Sequence, residues 1–173
     1  PGVEAERHAP GVGQHAPPSV AAGSGSTRRA PCVLGHETSI TGVMTKRHIN
    51  PDGLVRHPAF SQAVVVEQPS KTIYVAGQNV VDADGELVGS TIAEQTVRAF
   101  RNLATVLESE GAGLTDVVTW SIAVVEGQDI GEGFAAFQQV WDPADPPPAI
   151  TVQVVSGLAL PGALVEVDAV AAV

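Results

Sequence analysis

The sequence predicts an α+β fold, a mixed β-sheet carrying two helices on one face, and three observations predict it. Between Thr91 and Gly111 apolar residues recur at helical spacing. From Asp116 to Val125 a β-branched run reads as a buried strand. After Pro146-Pro147-Pro148 come two further strand-like segments, Ala149 to Val155 and Leu164 to Ala171. With strands before, between and after two helical segments, both helix stripes can be buried against one side of a single sheet.

Taken in order, Ser61 to Glu67 and Lys71 to Ala76 are rich in Val, Ile and Tyr and are broken by Gln68-Pro69-Ser70, the pattern of a β-hairpin. Asp84-Gly85 marks a tight turn beyond it, with a short third strand as an option. Thr91-Ile92-Ala93-Glu94 has the form of a capping box. Ile92, Thr96, Ala99, Leu103, Val106 and Leu107 then share one helical face until Gly111 stops the helix. Ile130 to Trp141 reads as a second helix with Phe134, Phe137 and Trp141 on one face. Gly131 and Gly133 weaken it by about 1 kcal/mol each relative to Ala, and the three prolines end it. In the final strand, period 2 sets Leu164, Glu166, Asp168 and Val170 on one face and Val165, Val167, Ala169 and Ala171 on the other.

The chain has 173 residues and is 44% hydrophobic, which suits one domain with one core. Residues 1 to 43 are rich in Pro, Gly, Ala, Ser and His, show neither helical nor strand periodicity, and read as a low-complexity extension that burial cannot order. The sole methionine, Met44, stands where the folded domain, 44 to 173, is expected to begin; Met44 as the natural start and a genuine extension are the two alternatives. Acids and bases balance in the first 43 residues, so the net charge of −10 belongs to the rest, and no Lys, Arg or His follows Arg101. Phosphate affinity comes from clustered basic groups, so this distribution argues against nucleic-acid binding. Cys32 is the only cysteine, which leaves no intrachain disulfide and fits a cytoplasmic location. No apolar run reaches the length of a membrane span.

Four blocks in order carry a resemblance. Asn50-Pro51-Asp52-Gly53-Leu54 leads into His57-Pro58-Ala59-Phe60-Ser61-Gln62-Ala63-Val64. Ala76-Gly77-Gln78 precedes the turn Asp82-Ala83-Asp84-Gly85-Glu86-Leu87-Val88. Gln95-Thr96 and Asn102-Leu103 lie in the first helix. Pro147-Pro148-Ala149-Ile150-Thr151-Val152 and Leu160-Pro161-Gly162-Ala163-Leu164-Val165-Glu166-Val167-Asp168 form the fourth. From about Asn50 to Val173 the chain resembles the Rid/YjgF family of enamine/imine deaminases, once described as endoribonucleases. The resemblance implies a chorismate-mutase-like fold, a homotrimer, and a cleft for a small molecule between subunits.

At the sites the resemblance marks, most residues have changed. Ile150 stands where the deaminases hold the substrate carboxylate with an arginine, and no aliphatic side chain replaces two charge-assisted hydrogen bonds. Phe60 replaces a tyrosine, Ala76 a serine and Gln138 an asparagine, while Gly77 and Gln78 are kept. Glu166 matches a glutamate that orients or activates water; a carboxylate against an apolar wall can serve as a general base near neutrality. Phe60 and Ile150 as plain packing residues, and Glu166 with Asp168 as the solvated face of a strand, are the plainer readings. Arg56, Arg98 and Arg101 are the available donors for a relocated arginine, with Arg98 and Arg101 on solvent-facing helix positions.

Other chemistries find no support. His48 and His57 have no third ligand for a metal, Ser61 and Ser121 have no histidine partner in any motif, and the glycines form neither a phosphate loop nor any cofactor signature. The expected function is therefore a cleft for a small neutral or weakly polar metabolite, with no cofactor. It either hydrolyses an imine-like or amide-like bond through Glu166 or binds without catalysis. A 2-aminoacrylate deaminase with a relocated arginine is the third alternative.

Overall fold

A computed structural model describes residues 42–173. The expectations for the first 43 residues and for Cys32 lie almost wholly outside the described residues. The elements run β1 (Thr45–Ile49), β2 (Ala63–Glu67), β3 (Thr72–Gln78), α1 (Ile92–Ser109), β4 (Val117–Val125), α2 (Ile130–Phe137), β5 (Ala149–Val155) and β6 (Val165–Ala172), with a 3₁₀ turn at Leu114–Asp116. The main sheet has the order β3-β6-β4-β5; β6 is antiparallel to both neighbours, and β4 and β5 are parallel, which makes the sheet mixed. Each parallel relation needs a crossover, supplied by α1 between β3 and β4 and by α2 between β4 and β5. The expected α+β arrangement is present.

The expected hairpin is not. Both strands exist, but β2 pairs with β1 in a separate two-stranded sheet and β3 pairs with β6. The link Gln68-Pro69-Ser70 passes through a left-handed residue, Gln68 at φ 54, and hands the chain from one sheet to the other. Lys71 and Val173 then exchange backbone hydrogen bonds of 2.9 and 3.0 Å that commit β3 to β6. The additional strand is therefore β1, ahead of the expected pair; the Asp84-Gly85 turn carries only a single bridge, Val81 to Leu87.

Helix α1 starts as its capping box dictates: the Thr91 hydroxyl accepts from Glu94 N at 3.2 Å and the Glu94 carboxylate accepts from Thr91 N at 3.3 Å. Its buried stripe contains Ile92, Thr96, Ala99, Leu103 and Leu107, with Gln95 and Phe100 added and Val106 only half-buried. The second helix is shorter than expected and stops at Phe137, well before the prolines, as Gln139, Val140 and Trp141 close tight turns onto Ala136 and Phe137 carbonyls. Its Gly133 permits close approach, since a β-carbon there would sit 3.3 Å from Ile92.

Core and solvent divide along β6 as period 2 requires. Val165, Val167, Ala169 and Ala171 are buried beneath the helices, with Val75 of β3 and Val117, Trp120 and Val124 of β4. Four aromatic rings lock the helix layer to β4: Phe100 and Phe137 at 4.7 Å, and Trp120 edge-on to Phe100, Phe137 and Trp141 at 5.1 to 5.2 Å. Among the described residues no helix is long and apolar enough to cross a membrane.

Candidate functional site

Register decides which candidates can meet. Ile150 lies opposite Trp120, and Trp120 opposite Ala169, so all three face the helix layer. Glu166 lies opposite Ala123 and Asp168 opposite Ser121, on the other face of the sheet. Within one chain the expected site residues therefore form two groups.

The first group is Phe60 and Ile150, which line a cavity of about 260 Å³ between the β4–β5 half of the sheet and the two helices. Phe60 is brought there by a tight turn in which its ring stacks on His57 at 5.2 Å while His57 Nδ1 accepts from Ala59 N at 3.1 Å. The remaining wall includes Ile92, Thr96, Phe100, Trp120, Phe134, Phe137 and Val152. No lining side chain is ionisable, and the walls built from β4, α2, β5 and β6 all come from the part of the sequence that has no cation. Trp120 is 1% exposed, and its Nε1–H is buried without a hydrogen-bond partner. The mouth of the cavity is apolar too: Ile130, Phe134 and Val152 are 41 to 48% exposed.

Gly77 and Glu166 make the second group. A β-carbon at position 77 would fall 2.5 Å from Glu166 Oε1, so the carboxylate lies directly over the glycine backbone. Gly77 sits in the irregular stretch where the β3–β6 register shifts between Val75 and Gln78. Glu166 is half-buried, whereas Asp168, Ala76 and Gly77 itself are exposed. Ala76 adjoins this group in sequence and does not line the cavity; Gln138 caps α2 from an exposed position and does not line it either.

None of the alternative arginines lines the cavity. Arg56 pairs with Asp52 at 3.0 Å on the surface. Arg98, expected to face solvent, is half-buried and donates from Nε to Val81 O at 3.0 Å, where Asn102 also donates, so it holds the chain between β3 and α1. Arg101 is exposed, as expected.

One neighbourhood was invisible in the sequence. Ser61, read as lacking a histidine partner, lies 3.2 Å from His48 Nδ1, because pairing of β1 with β2 closes the loop that sets them thirteen positions apart. Both also reach the Pro147 carbonyl, Ser61 Oγ at 2.6 Å and His48 Nδ1 at 2.9 Å. A carbonyl only accepts, so Nδ1 bears the proton and cannot take one from the serine. The cluster ties the β1–β2 hairpin to the start of β5, and a nucleophile–base pair is not what it forms. Among the described residues no group of three or more His, Cys, Asp or Glu could hold a metal ion.

Comparison with known proteins agrees with this architecture. The family model described as Endoribonuclease L-PSP matches residues 54–173. The chain belongs to that family, the Rid/YjgF family. It is 32% identical over 114 residues to the human 2-iminobutanoate/2-iminopropanoate deaminase, covering 65% of this chain and 78% of that protein. The rat protein of the same name is 38% identical over 74 residues, 42% of this chain and 52% of that one. Among solved structures, YyfB of Yersinia pestis, a Rid-family protein of unknown function, superposes with a TM-score of 0.67 at 32% identity and covers 74% of this chain and 98% of its own. RidA of a Psychrobacter species gives 0.55 at 25%, over 65% and 87%.

Proposed function

We propose that this Rid-family chain acts as a homotrimer in which the apolar pocket of one subunit meets the Gly77–Glu166 face of the next, and that the resulting cleft hydrolyses a small neutral imine-like or amide-like substrate. The observation that carries the reading is the separation of the two groups. The pocket holds Phe60 and Ile150 but no ionisable group, while the matched glutamate stands on the opposite sheet face with its carboxylate seated on Gly77. A second copy supplies what one chain keeps apart. The deaminase names of the mammalian relatives point to hydrolysis at a C=N bond, and Ile150 points away from a carboxylate-bearing substrate.

In this scheme Glu166 takes a proton from water as the water oxygen bonds to the C=N carbon. The proton passes to nitrogen, and the carbinolamine then breaks its C–N bond as its hydroxyl proton is carried by Glu166 to the departing nitrogen, giving a carbonyl compound and ammonia or an amine. Removing a general base of this kind costs typically about 10²–10⁴-fold in rate. Glu166→Gln keeps size and hydrogen bonding, so it should lower turnover of a neutral cyclic or aryl imine by that much while affinity changes little, and Asp168→Asn should not. Light scattering should give a trimer at micromolar concentration. A monomer would break the reading, as would full activity in Glu166→Gln.

A non-catalytic binding protein on the same scaffold is the second reading. The apolar or displaced residues at four matched positions, Phe60, Ala76, Gln138 and Ile150, favour it, and binding of a small neutral molecule with no hydrolysis of any screened imine or amide by the unaltered chain would select it.

A further inference from the structure

Resting on the reading that the Phe60–Ile150 pocket is the ligand site, we propose that Thr96 is its specificity-determining residue. Its hydroxyl donates to the imine nitrogen or carbonyl oxygen of the ligand, in a notch that Gly133 keeps open. Three threonines lie at or in α1. Thr91 at the N-cap accepts from Glu94 N at 3.2 Å, and Thr105 returns its hydroxyl to Arg101 O, one turn back, at 2.9 Å. A threonine inside a helix has that bond within reach, yet the Thr96 hydroxyl takes no partner among the described residues, while Thr96 itself is only 5% exposed. A hydroxyl buried without a partner opposes folding, and valine would fill the same space without that cost.

Its neighbour across the helix contact makes a second unfavourable local choice. Gly133 lies inside α2, where glycine weakens a helix, and its backbone is not left-handed. Thr96 and Gly133 both line the cavity, and a β-carbon at position 133 would lie 3.4 Å from Thr96 Oγ1. With only hydrogen there, the space in front of the hydroxyl stays open. Among the lining side chains only Thr96 and Trp120 carry a polar atom, and the Trp120 indole nitrogen is sealed beneath the wall. A ligand acceptor thus finds one side-chain donor in the cavity, on the helix side, across from Ile150 on β5. Anchoring at a neutral hydroxyl there takes the place of anchoring at the sheet.

Acetophenone, isopropylbenzene and benzoate carry equal numbers of non-hydrogen atoms on one benzene ring. A cavity of about 260 Å³ has room for each, since about 150 Å³ holds benzene. Titrated into the ¹⁵N-labelled full chain and followed by amide shifts, acetophenone should bind about three- to tenfold more tightly than isopropylbenzene, the range of one net hydrogen bond. Benzoate should bind weakest. In Thr96→Val the preference for the ketone should vanish while isopropylbenzene binds as before and the melting temperature does not fall; Thr96→Ser, which keeps the hydroxyl, should retain a preference. Gly133→Ala closes the notch and should also reduce the preference, which reads the same hydroxyl from the other helix should Thr96→Val fail to fold. Equal affinities in the unaltered chain, or a preference that survives Thr96→Val, overturn the proposal. If Glu166→Gln nevertheless abolishes imine hydrolysis, only the role of Thr96 falls. Tightest binding by benzoate, or no binding by any probe, would remove the neutral pocket together with it.

Discussion

The Glu166 carboxylate rests on Gly77 so closely that a β-carbon at position 77 would lie 2.5 Å from its Oε1 and 2.7 Å from its Cδ. The glycine is thus a requirement of the carboxylate's position. The atoms met are the far end of a flexible side chain, so a methyl group there displaces the carboxylate without forcing the backbone apart.

Gly77→Ala should therefore leave the melting temperature within about 4 °C, or about 1 kcal/mol, while lowering imine hydrolysis nearly as far as Glu166→Gln does. In a Glu166→Gln background the same change should cost little more, because two substitutions that disable one group are not additive. Full activity in Gly77→Ala would mean that Glu166 works from another position or not at all.

A second prediction concerns Gln95, which is 1% exposed and holds two left-handed turns together. Its Nε2 donates to Gly89 O at 3.1 Å and Gly162 O at 3.0 Å, and its Oε1 accepts from Leu164 N at 2.7 Å. Gly89 and Gly162 have φ of 92° and 85°. Gln95→Leu fills the space but strands those backbone groups, at about 1–3 kcal/mol for each one left unsatisfied. Urea unfolding should show a loss of at least about 2 kcal/mol, larger than for Gln138→Leu on the exposed end of α2.

What the sequence made legible was local. The capping box of Thr91 and Glu94, the stripe of α1 and the alternation along β6 depend on residues within a few positions of one another, and all three are present. Pairing is non-local: nothing in Ser61 to Glu67 says whether its partner lies ahead or behind, so the sequence suggests a β2–β3 hairpin where the structure pairs β2 with β1. The structural role of Gln95 is not legible in its family block, because a glutamine on a helix reads as a surface residue and its three partners lie in turns up to 69 residues away. The contact between His48 and Ser61 is hidden for the same reason. At the candidate site, the separate positions came from family resemblance; the division of Phe60 and Ile150 from Gly77 and Glu166 follows from strand register, which composition does not encode.

The start of α1 should be sensitive to acid. Backbone N–H groups of Ser90, chiefly, and Thr91 hold the Glu94 carboxyl below the ordinary glutamate range. A carboxyl whose folded pKa is depressed contributes its stability above the ordinary value of about 4.3 and loses it as pH falls through the lower, folded-state value. The unaltered chain should thus lose helix-start protection to hydrogen exchange on acidification below about pH 4, and Glu94→Gln should show a flatter dependence there. An identical slope in the two proteins would assign the acid sensitivity to other carboxyls.

Ile150 provides the sharpest test of substrate class, because it lines the cavity and stands where the family resemblance leads one to expect the deaminases' arginine. The unaltered chain should not measurably hydrolyse 2-iminobutanoate, since every lining side chain is uncharged and the carboxylate finds no partner. Ile150→Arg places a guanidinium beside Trp120, where desolvation opposes it, but Val152 and Val154 on the same strand face are 48% and 60% exposed and leave a path for the long side chain to reach water. Some stability should be lost, about 1–3 kcal/mol for a poorly paired polar group. In return the variant should bind 2-oxobutanoate and gain at least about 30-fold in kcat/KM on 2-iminobutanoate, the lower end of what a paired carboxylate–arginine contact supplies. Turnover by the unaltered chain comparable with that of the human deaminase assayed beside it would place an anion-binding group in the cleft that this pocket does not contain, and the neutral-substrate reading would fall.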